Sequence, residues 1–494
     1  METQAKNKLF AATKWSVITE TLSKLFSPII NMILARLLTP EAFGVVATIT
    51  MITSFADMFT DAGFQKYLVQ HEFYSKEEKD NYATVAFWTN LLFSLVLWFV
   101  IGIASEQIAV LVGNPGLGKT IVVACVSLPI TAFCSIQMAL YRRIFDFKTL
   151  FSVRLVTIIV PFVITIPLAL LGGGYWALIL GTIFGNILTA VILVVHSKWK
   201  PKLFYSYKIL KKMLSFSVWS LLEQLAIWLT YYADIFIIGS LLTVFYVGVY
   251  KTSISTIDGI MRIITSATTP VLFSALSRLQ NNEREFNYIF FKFQRLVSIL
   301  VIPMGVGIYV YKELITNILL GNQWSEAIDF IGLWGFMTAV SIIFGYYSSE
   351  AYRSKGYPKL SFLAQVLHLV VLIPVIYLSA QKGYETLIYA KSYIRIQYVL
   401  VHLLIMHFVL HISIWKMIHN VLPSFLCAGV MGGIGLLLKG LNHGLAWDLF
   451  SIGICIAAYS ALIMLFPKNR NELVLILKKI INMNDNSRLR GEGI

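Results

Sequence analysis

The chain has 494 residues, 57% of them hydrophobic and 13% charged, with a formal net charge of +15 and a mean hydropathy of +0.75. Ordinary soluble domains carry roughly a quarter charged residues, so this composition excludes a soluble protein and places the chain among polytopic membrane proteins. The basic excess invites a nucleic-acid partner, but its placement along the chain argues against one.

Apolar stretches long enough to cross a hydrocarbon core about 30 Å thick as helices recur from end to end. Spans are predicted at residues 14–38, 43–68, 83–111, 120–140, 150–171, 175–196, 214–239, 245–274, 289–311, 327–350, 359–380, 384–411, 420–439 and 445–466. The expected fold class is an all-α polytopic membrane protein of about 14 transmembrane helices. The opening METQAKNKLF lacks the short apolar core and small-residue cleavage site of a removed signal peptide, so the first span is expected to stay as an anchor. Loops between spans are too short to hold a soluble catalytic domain. Cys125, Cys134, Cys427 and Cys455 all fall inside apolar spans, where packing rather than a disulfide framework is their expected use.

Between the third and fourth spans lies GNPGLGKT, Gly113 to Thr120, a complete phosphate-loop pattern preceded by an apolar β-type run from Ile108 to Val112. In a true phosphate loop, backbone N–H groups wrap the phosphates, the Lys neutralises them and the Thr holds Mg²⁺. Such a loop needs a parallel α/β sheet around it. Residues 120–197 read instead as three more apolar spans, with Pro129, Pro161 and Pro167 inside them. The motif is therefore expected to be a decoy, a turn with Lys119 among the few cations on the outer side.

With the N-terminus inside and sides alternating, most Lys and Arg fall on inner segments, notably Arg142 to Lys148, Lys198 to Lys212 and Lys468 to Lys479. This is the positive-inside bias of a membrane protein, and it predicts cytoplasmic N- and C-termini and attraction to lipid headgroups rather than to nucleic acid. Lys24, Arg262, Lys391 and Arg395 remain as intramembrane cations. Each costs about 2.5–3.5 kcal/mol at a helix centre and so marks function by default. Glu20 precedes Lys24 by one turn, and Asp258 precedes Arg262 by one turn, so either pair can form an i,i+4 salt bridge; Lys391 and Arg395 share that spacing with each other. Lys391 also lies near enough to a span end to snorkel. Glu20, Asp57, Asp61, Glu223, Asp234 and Asp258, carboxylates within predicted spans, are candidates for ion coupling or for structural salt bridges. Trp15, Trp219, Trp228, Tyr231 and Tyr232 are candidates for stacking on sugars or for plain packing. His407 and His411 stand one turn apart, a spacing that can bind metal, yet without a carboxylate or Cys nearby no metal site is assigned. No cofactor is expected.

At a shift of 204 residues, WSVITETLSKLFSPIINMILARLLTPEAFGVVAT aligns with WSLLEQLAIWLTYYADIFIIGSLLTVFYVGVYKT, identical at ten of 34 positions, Gly44/Gly248 among them. The shift equals six predicted spans, so both copies enter the membrane with the same orientation, as in transporters built from parallel repeats. The expected organisation is a six-helix lobe at 1–197, an interfacial amphipathic linker at 198–213, a second six-helix lobe at 214–411, two additional helices at 412–467 and a basic tail at 468–494.

ARLLTPEAFGVVA, FADMFTDAGFQKYLVQ, YYADIFIIGSLL with VGVYKTS, TTPVLFSALSRLQ and LLGNQWSEA together resemble the polysaccharide-transporter (Wzx-type) flippases of the multidrug/oligosaccharidyl-lipid/polysaccharide exporter superfamily, over roughly residues 8 to 400. The resemblance implies two pseudo-symmetric six-helix lobes plus two C-terminal helices in the bacterial inner membrane. It implies flipping of undecaprenyl-pyrophosphate-linked oligosaccharide repeat units by alternating access, for O-antigen, exopolysaccharide or a related surface glycan, driven by an ion gradient or membrane potential rather than ATP. It assigns Lys24 and Arg262, on the first and eighth helices, to the pyrophosphate; the spacing of Lys391 and Arg395 makes them candidates for a second cationic step for the same headgroup, with snorkelling of Lys391 as the alternative. A polymerase and a chain-length regulator are the implied protein partners. An ion-coupled multidrug exporter would favour acidic lumen residues without intramembrane Lys and Arg. A membrane glycan polymerase or glycosyltransferase would show a large extracytoplasmic loop or an acidic sugar-nucleotide motif, and neither is visible.

Overall fold

The computed structural model describes residues 15, 18–19, 22–23, 26–61, 63–197 and 199–472, without the side chains of 60, 61, 215–220, 222, 223 and 226. Every regular element among the described residues is helical. Eleven of the described helices are long and apolar enough to cross a membrane, so the chain is a multi-pass membrane protein. Contacts divide it into two compact units, one running to Thr252 with Leu319–Gln323 and Ile376–Tyr384, the other holding Ser253–Ile318, Trp324–Val375 and the chain from Glu385 onward.

The first unit begins with α1 (Phe26–Leu37). There follow α2 (Pro40–Asp61), α3 (Phe64–Gln70), α4 (Lys76–Ile103), α5 (Ser105–Leu111), α6 (Gly118–Ala124), α7 (Ser127–Arg143), α8 (Phe147–Val160), α9 (Ile166–Leu170), α10 (Tyr175–His196), α11 (Tyr207–Leu241) and the start of α12 (Val244–Arg278). Pro40 opens α2, where its missing N–H would be unpaired anyway. Ser75 caps α4 by accepting from Glu78 N at 3.0 Å, while the Glu78 carboxylate accepts from Tyr74 N at 2.8 Å. Asp146 caps α8 through Thr149 N.

Three predicted spans are broken, the one at 120–140 between α6 and α7 at Cys125 and Val126. The stretch predicted at 43–68 divides into α2 and α3 at Gly63, whose φ of 76° places it in the left-handed region that a side chain disfavours. The stretch at 83–111 divides into α4 and α5 at Ala104. Pro161 cannot donate within its helix, and the backbone widens into a π-turn over Pro161–Thr165.

The linker departs from its predicted form. Residues 199–206 are irregular, but α11 starts at Tyr207, so the second half of the expected linker is the first two turns of a 35-residue helix. Trp199, Ile209 and Leu210 pack on a core of Phe64, Leu68, Tyr82, Phe87 and Ile136 from α3, α4 and α7. Trp88 Nε1 donates to Lys202 O at 2.8 Å, and the Thr89 and Tyr205 hydroxyls are 3.1 Å apart. Part of the linker's apolar surface is thus buried in protein rather than in the lipid interface.

The repeat-related glycines meet each other. A Cβ on Gly44 of α2 would collide with the Val244 carbonyl, and one on Gly248 of α12 would collide with the Pro40 carbonyl. The identity noted at this pair is therefore a steric requirement at which two helix starts cross in backbone contact.

The second unit contains the rest of α12, then α13 (Glu283–Val310), α14 (Lys312–Leu319), α15 (Ile328–Ser341), α16 (Tyr347–Ser354), α17 (Pro358–Ala380), α18 (Tyr384–Phe408), α19 (Ile414–Leu441) and α20 (Leu445–Met464). α15 and α16 are joined by a π-turn, Ile342–Tyr346, into the most deeply buried span of the described chain. α13 packs on α15 and α19, and α19 on α20. Arg295 of α13 bonds Glu472 and Asn420, tying the chain beyond α20 to the bundle.

Gly44→Ala and Gly248→Ala should each destabilise the protein by about 3 kcal/mol or more, because backbone cannot yield as a flexible side chain can. Gly259→Ala, where nothing lies within 4 Å, should be neutral or stabilising. Detergent thermal melts followed by size-exclusion chromatography check the contrast.

Candidate functional site

In the first unit a cavity of about 440 Å³ opens among α2, α3, α7 and α11. Helical periodicity builds it: Ser54, Asp57 and Met58 share one face of α2, Thr131, Ser135 and Met138 one face of α7, and Gln224, Trp228, Tyr231 and Tyr232 one face of α11. Asp57 accepts a 2.8 Å hydrogen bond from Thr131 Oγ1. Trp228 Nε1 donates to Ser54 Oγ at 3.1 Å and to Met51 O at 3.3 Å, which fixes the plane of the indole. The ring centroids of Trp228 and Tyr232 are 5.6 Å apart, those of Phe55 and Trp228 4.9 Å. Lys251 Nζ lies 5.3 Å from the Tyr232 ring. The cavity thus presents one held carboxylate, the amides of Gln65 and Gln224, and oriented aromatic faces.

Four predicted site residues, Asp57, Trp228, Tyr231 and Tyr232, come together here. Trp15 does not: it packs on Phe151 with centroids 4.9 Å apart. Asp234 does not either. It is 7% exposed, accepts from Tyr250 OH at 2.6 Å and from Ile235 N at 2.8 Å, and so fastens α11 to α12. Lys24 and Glu20, and the side chains of Asp61, Trp219 and Glu223, lie outside the described residues. Asp258 and Arg262 are one turn apart on α12, yet no ion pair joins them and the Arg262 side chain is exposed, so the salt bridge their spacing allows is not formed. The spacing permits a pair without requiring one, since two long side chains lose rotamer entropy on meeting.

In the second unit, the predicted pair on α18 sits on an aromatic face. Arg395 Cζ is 3.7 Å and Lys391 Nζ 5.6 Å from the Trp334 ring of α15. Lys391 is 7% exposed, so it does not snorkel to an interface. A guanidinium and an ammonium against one indole are stabilised by its quadrupole at about 2 kcal/mol or more when desolvated. The same helix face continues through Tyr398 to His402, at i+7 and i+11 from Lys391. Gly345 of the π-turn has no room for a Cβ because the Tyr398 ring occupies that space. A second, largely apolar cavity of about 560 Å³ lies among α13, α19 and α20, lined by Pro303, Met304, Ile308, Met431 and Ile456.

The set of cations within the helices is larger than the four expected. Arg154 of α8 donates to Ser23 Oγ at 2.9 Å, Lys251 lies in α12 and Arg295 in α13. His407 and His411 do not share a helix face, because α18 ends at Phe408 and His411 has a φ of 54°. Cavity-lining Ser54, Gln65, Thr131 and Gln224 were not anticipated either; polar residues at helical spacing in apolar runs were the available signal.

The phosphate-loop pattern has a different local structure from the one expected. Its supposed β-run is helix α5, and Gly113, with a φ of 74°, presses on the Gly239 carbonyl of α11. The Glu106 carboxylate accepts from Gly116 N at 2.6 Å and from Gly118 N at 3.2 Å. Amides that would face a phosphate are held by a carboxylate of the chain itself.

A family model described as "Polysaccharide biosynthesis protein" matches residues 33–329. The succinoglycan biosynthesis transport protein ExoT of Rhizobium meliloti (strain 1021) is 25% identical over 321 residues, covering 65% of this chain and 64% of that protein, just under two thirds of its length. The lipopolysaccharide biosynthesis protein WzxC of Escherichia coli (strain K12) is 20% identical over 385 residues, 76% of each chain. Among solved structures, lipid II flippase MurJ in an inward closed conformation matches with a TM-score of 0.73 at 17% identity, covering 94% of this chain and 100% of that one. An inward-facing multidrug resistance MATE family transporter matches with a TM-score of 0.58 at 14% identity, covering 81% and 94%. Both are likenesses of fold.

Tyr250→Phe should lower stability by about 1.5–3 kcal/mol, the usual worth of a hydrogen bond to a charged group, without altering the cavity. Thermal melts of the purified variant read this directly.

Proposed function

Because this chain belongs to the polysaccharide biosynthesis protein family, we propose that it is a flippase for undecaprenyl-pyrophosphate-linked oligosaccharide repeat units in the bacterial inner membrane. The observation that carries the reading is the pair on Trp334 formed by buried Lys391 and half-buried Arg395. Cations placed inside an apolar bundle are costly and mark substrate pathways by default, and a pyrophosphate diester is the anion of this substrate class. Arg offers it a planar fork and Lys a point charge. Arg262, exposed on α12, and Lys24 are proposed to serve the same headgroup at another stage.

The first-unit cavity suits the glycan. Trp228, Tyr231 and Tyr232 offer flat faces for C–H surfaces of sugar rings, while Asp57, Gln65 and Gln224 offer acceptors and donors to hydroxyls. The apolar cavity among α13, α19 and α20 suits part of a polyprenyl chain. Alternating access between the two repeat-related lobes would carry the headgroup across, with termini and basic segments cytoplasmic and a polymerase and chain-length regulator receiving the product. A cation exporter fits less well, since its substrates would be repelled by the same Lys and Arg.

The GNPGLGKT loop is read as a self-satisfied turn, with Glu106 in the position of the anion. ATP should not bind, and Lys119→Ala should leave translocation unchanged; saturable ATP binding lost in that variant would overturn this.

Deletion of the gene followed by leaflet-resolved analysis of lipid-linked sugars is the test. Accumulation in the cytoplasmic leaflet, rescued by wild type but at least tenfold less by Lys391→Ala/Arg395→Ala, is the expected result. Asp57→Asn, which keeps an acceptor for Thr131, should reduce rescue without loss of protein. Normal translocation in a strain lacking every related transporter would refute the reading.

A further inference from the structure

Arg142 and Arg143 end α7 side by side, and only one of them is fully engaged. Arg143 Nη1 donates to the carbonyls of Leu68, Val69 and His71 at 2.8, 3.2 and 2.6 Å, and its guanidinium lies 4.7 Å from the Phe73 ring, so it fastens the C-terminal end of α3 to α7. Arg142 is exposed and makes one side-chain bond, from Nη1 to Gln65 Oε1 at 3.1 Å; among the described residues no carboxylate pairs with it. Asp146, the acidic residue next along the chain, is bonded instead to Thr149 N and Oγ1 at 3.2 and 2.8 Å. A guanidinium is a planar fork of N–H donors, and a single bond leaves most of that fork available.

Helical spacing places this fork at the rim of the first-unit cavity. Thr131, Ser135 and Met138 line the cavity from α7, and Arg142 stands four residues beyond Met138 on the same face, about one 5.4 Å turn further along. Its partner Gln65 is itself a lining residue. Because a guanidinium can only donate, the bond between them makes Oε1 the acceptor and leaves the Gln65 Nε2 hydrogens without a partner among the described residues. The rim therefore offers donors and positive charge, whereas the interior offers the Asp57 carboxylate and the faces of Trp228, Tyr231 and Tyr232. Acceptors and flat faces suit a sugar ring; donors with positive charge suit a phosphate. A sugar carrying phosphate on its anomeric carbon meets both demands with a single oxygen between them.

We propose that Arg142, with Gln65, is an anion subsite at the rim of this cavity, and that the ligand the cavity takes is a glycosyl phosphate, with the sugar inside and its anomeric phosphate on Arg142. The proposal rests on the reading of the cavity as the glycan site and adds a phosphate contact in the first unit, made by residues other than Lys391 and Arg395. Positive charge at this end of the helices does not by itself account for the arrangement: Lys148 and Lys208 are basic and exposed too, and the side chain of neither bonds a cavity residue. Hydrogen bonds from a guanidinium to a phosphate raise affinity by about tenfold to a hundredfold.

The test is microscale thermophoresis on the full chain in nanodiscs of zwitterionic lipid alone. Two probes are compared: the lipid-linked oligosaccharide that accumulates in the gene-deletion strain, and the glycan released from it by mild acid, which cleaves the bond between the anomeric carbon and the phosphate. Arg142→Gln should weaken binding of the lipid-linked probe by about tenfold or more and leave the released glycan unchanged. Arg142→Lys, which keeps the charge and loses the fork, should show a smaller loss confined to the same probe, and it serves if Arg142→Gln fails to fold. Gln65→Glu, which sets a carboxylate beside Arg142, should act like Arg142→Gln. Lys208→Gln, which removes an exposed charge elsewhere, should change neither probe. Equal weakening of both probes by Arg142→Gln would mean that Arg142 only positions Gln65, and would overturn the anion subsite. So would no weakening, or a loss just as large in Lys208→Gln. An Arg142→Gln effect that appears only when phosphatidylglycerol is added to the nanodiscs would assign the subsite to phospholipid and overturn the proposal as well. Each of these outcomes leaves the glycan reading intact. No binding of either probe by the wild type, or binding of the released glycan undiminished in Trp228→Ala, would overturn the glycan reading and the subsite with it.

Discussion

Two helices reach backbone contact only where neither carries a side chain, and Gly44 with Gly248 supplies that condition at the start of α2 and of α12. Much of the first unit follows from this crossing. With α12 pinned to α2, Tyr250 is held where it can cap the Asp234 carboxylate, and that bond fixes α11 against α12. α11 then brings Trp228 to Ser54 and Met51 of α2, closing the wall of the polar cavity. Gly113 against Gly239 repeats the device on the other side of α11. In an apolar solvent there is little hydrophobic drive between helices, so contact of this kind, together with buried hydrogen bonds, must hold the bundle.

Charge placement in the second unit obeys a complementary constraint. A cation in a low-dielectric bundle needs stabilising company, and Trp334 gives Lys391 and Arg395 an electron-rich face. A carboxylate stabilises a cation by cancelling its charge. An indole stabilises it through its quadrupole, without a net charge of its own.

Hydropathy alone made the membrane-helical architecture legible, because apolar runs of this length have few other uses. Breaks at Gly63 and Ala104 fall beside short polar stretches, Thr60 to Lys66 and Ser105 to Gln107, which a hydropathy window long enough to find a span averages away. Asp57, Trp228, Tyr231 and Tyr232 stood out as polar or amphipathic residues in apolar spans and do share a cavity. Thr131 and Gln224 did not stand out: small or neutral polar side chains commonly bond within their own helix, and only tertiary packing shows which face a cavity. Pairing was the least legible feature. Asp258 and Arg262 have the spacing for a bridge and do not form one, while Asp234 found its partner 16 residues away on the next helix.

The notch at Gly345 has a mechanical consequence. The Tyr398 ring fills the place where a side chain would stand, seated in the widened turn between α15 and α16 like a dowel in a socket. Axial sliding of α18 past this span would first have to lift the ring out of the notch. Trp334, Lys391, Arg395 and His402 should therefore travel as one block, keeping their mutual distances while the rest of the protein rearranges around them. Any gating must act at the borders of that block and not within it.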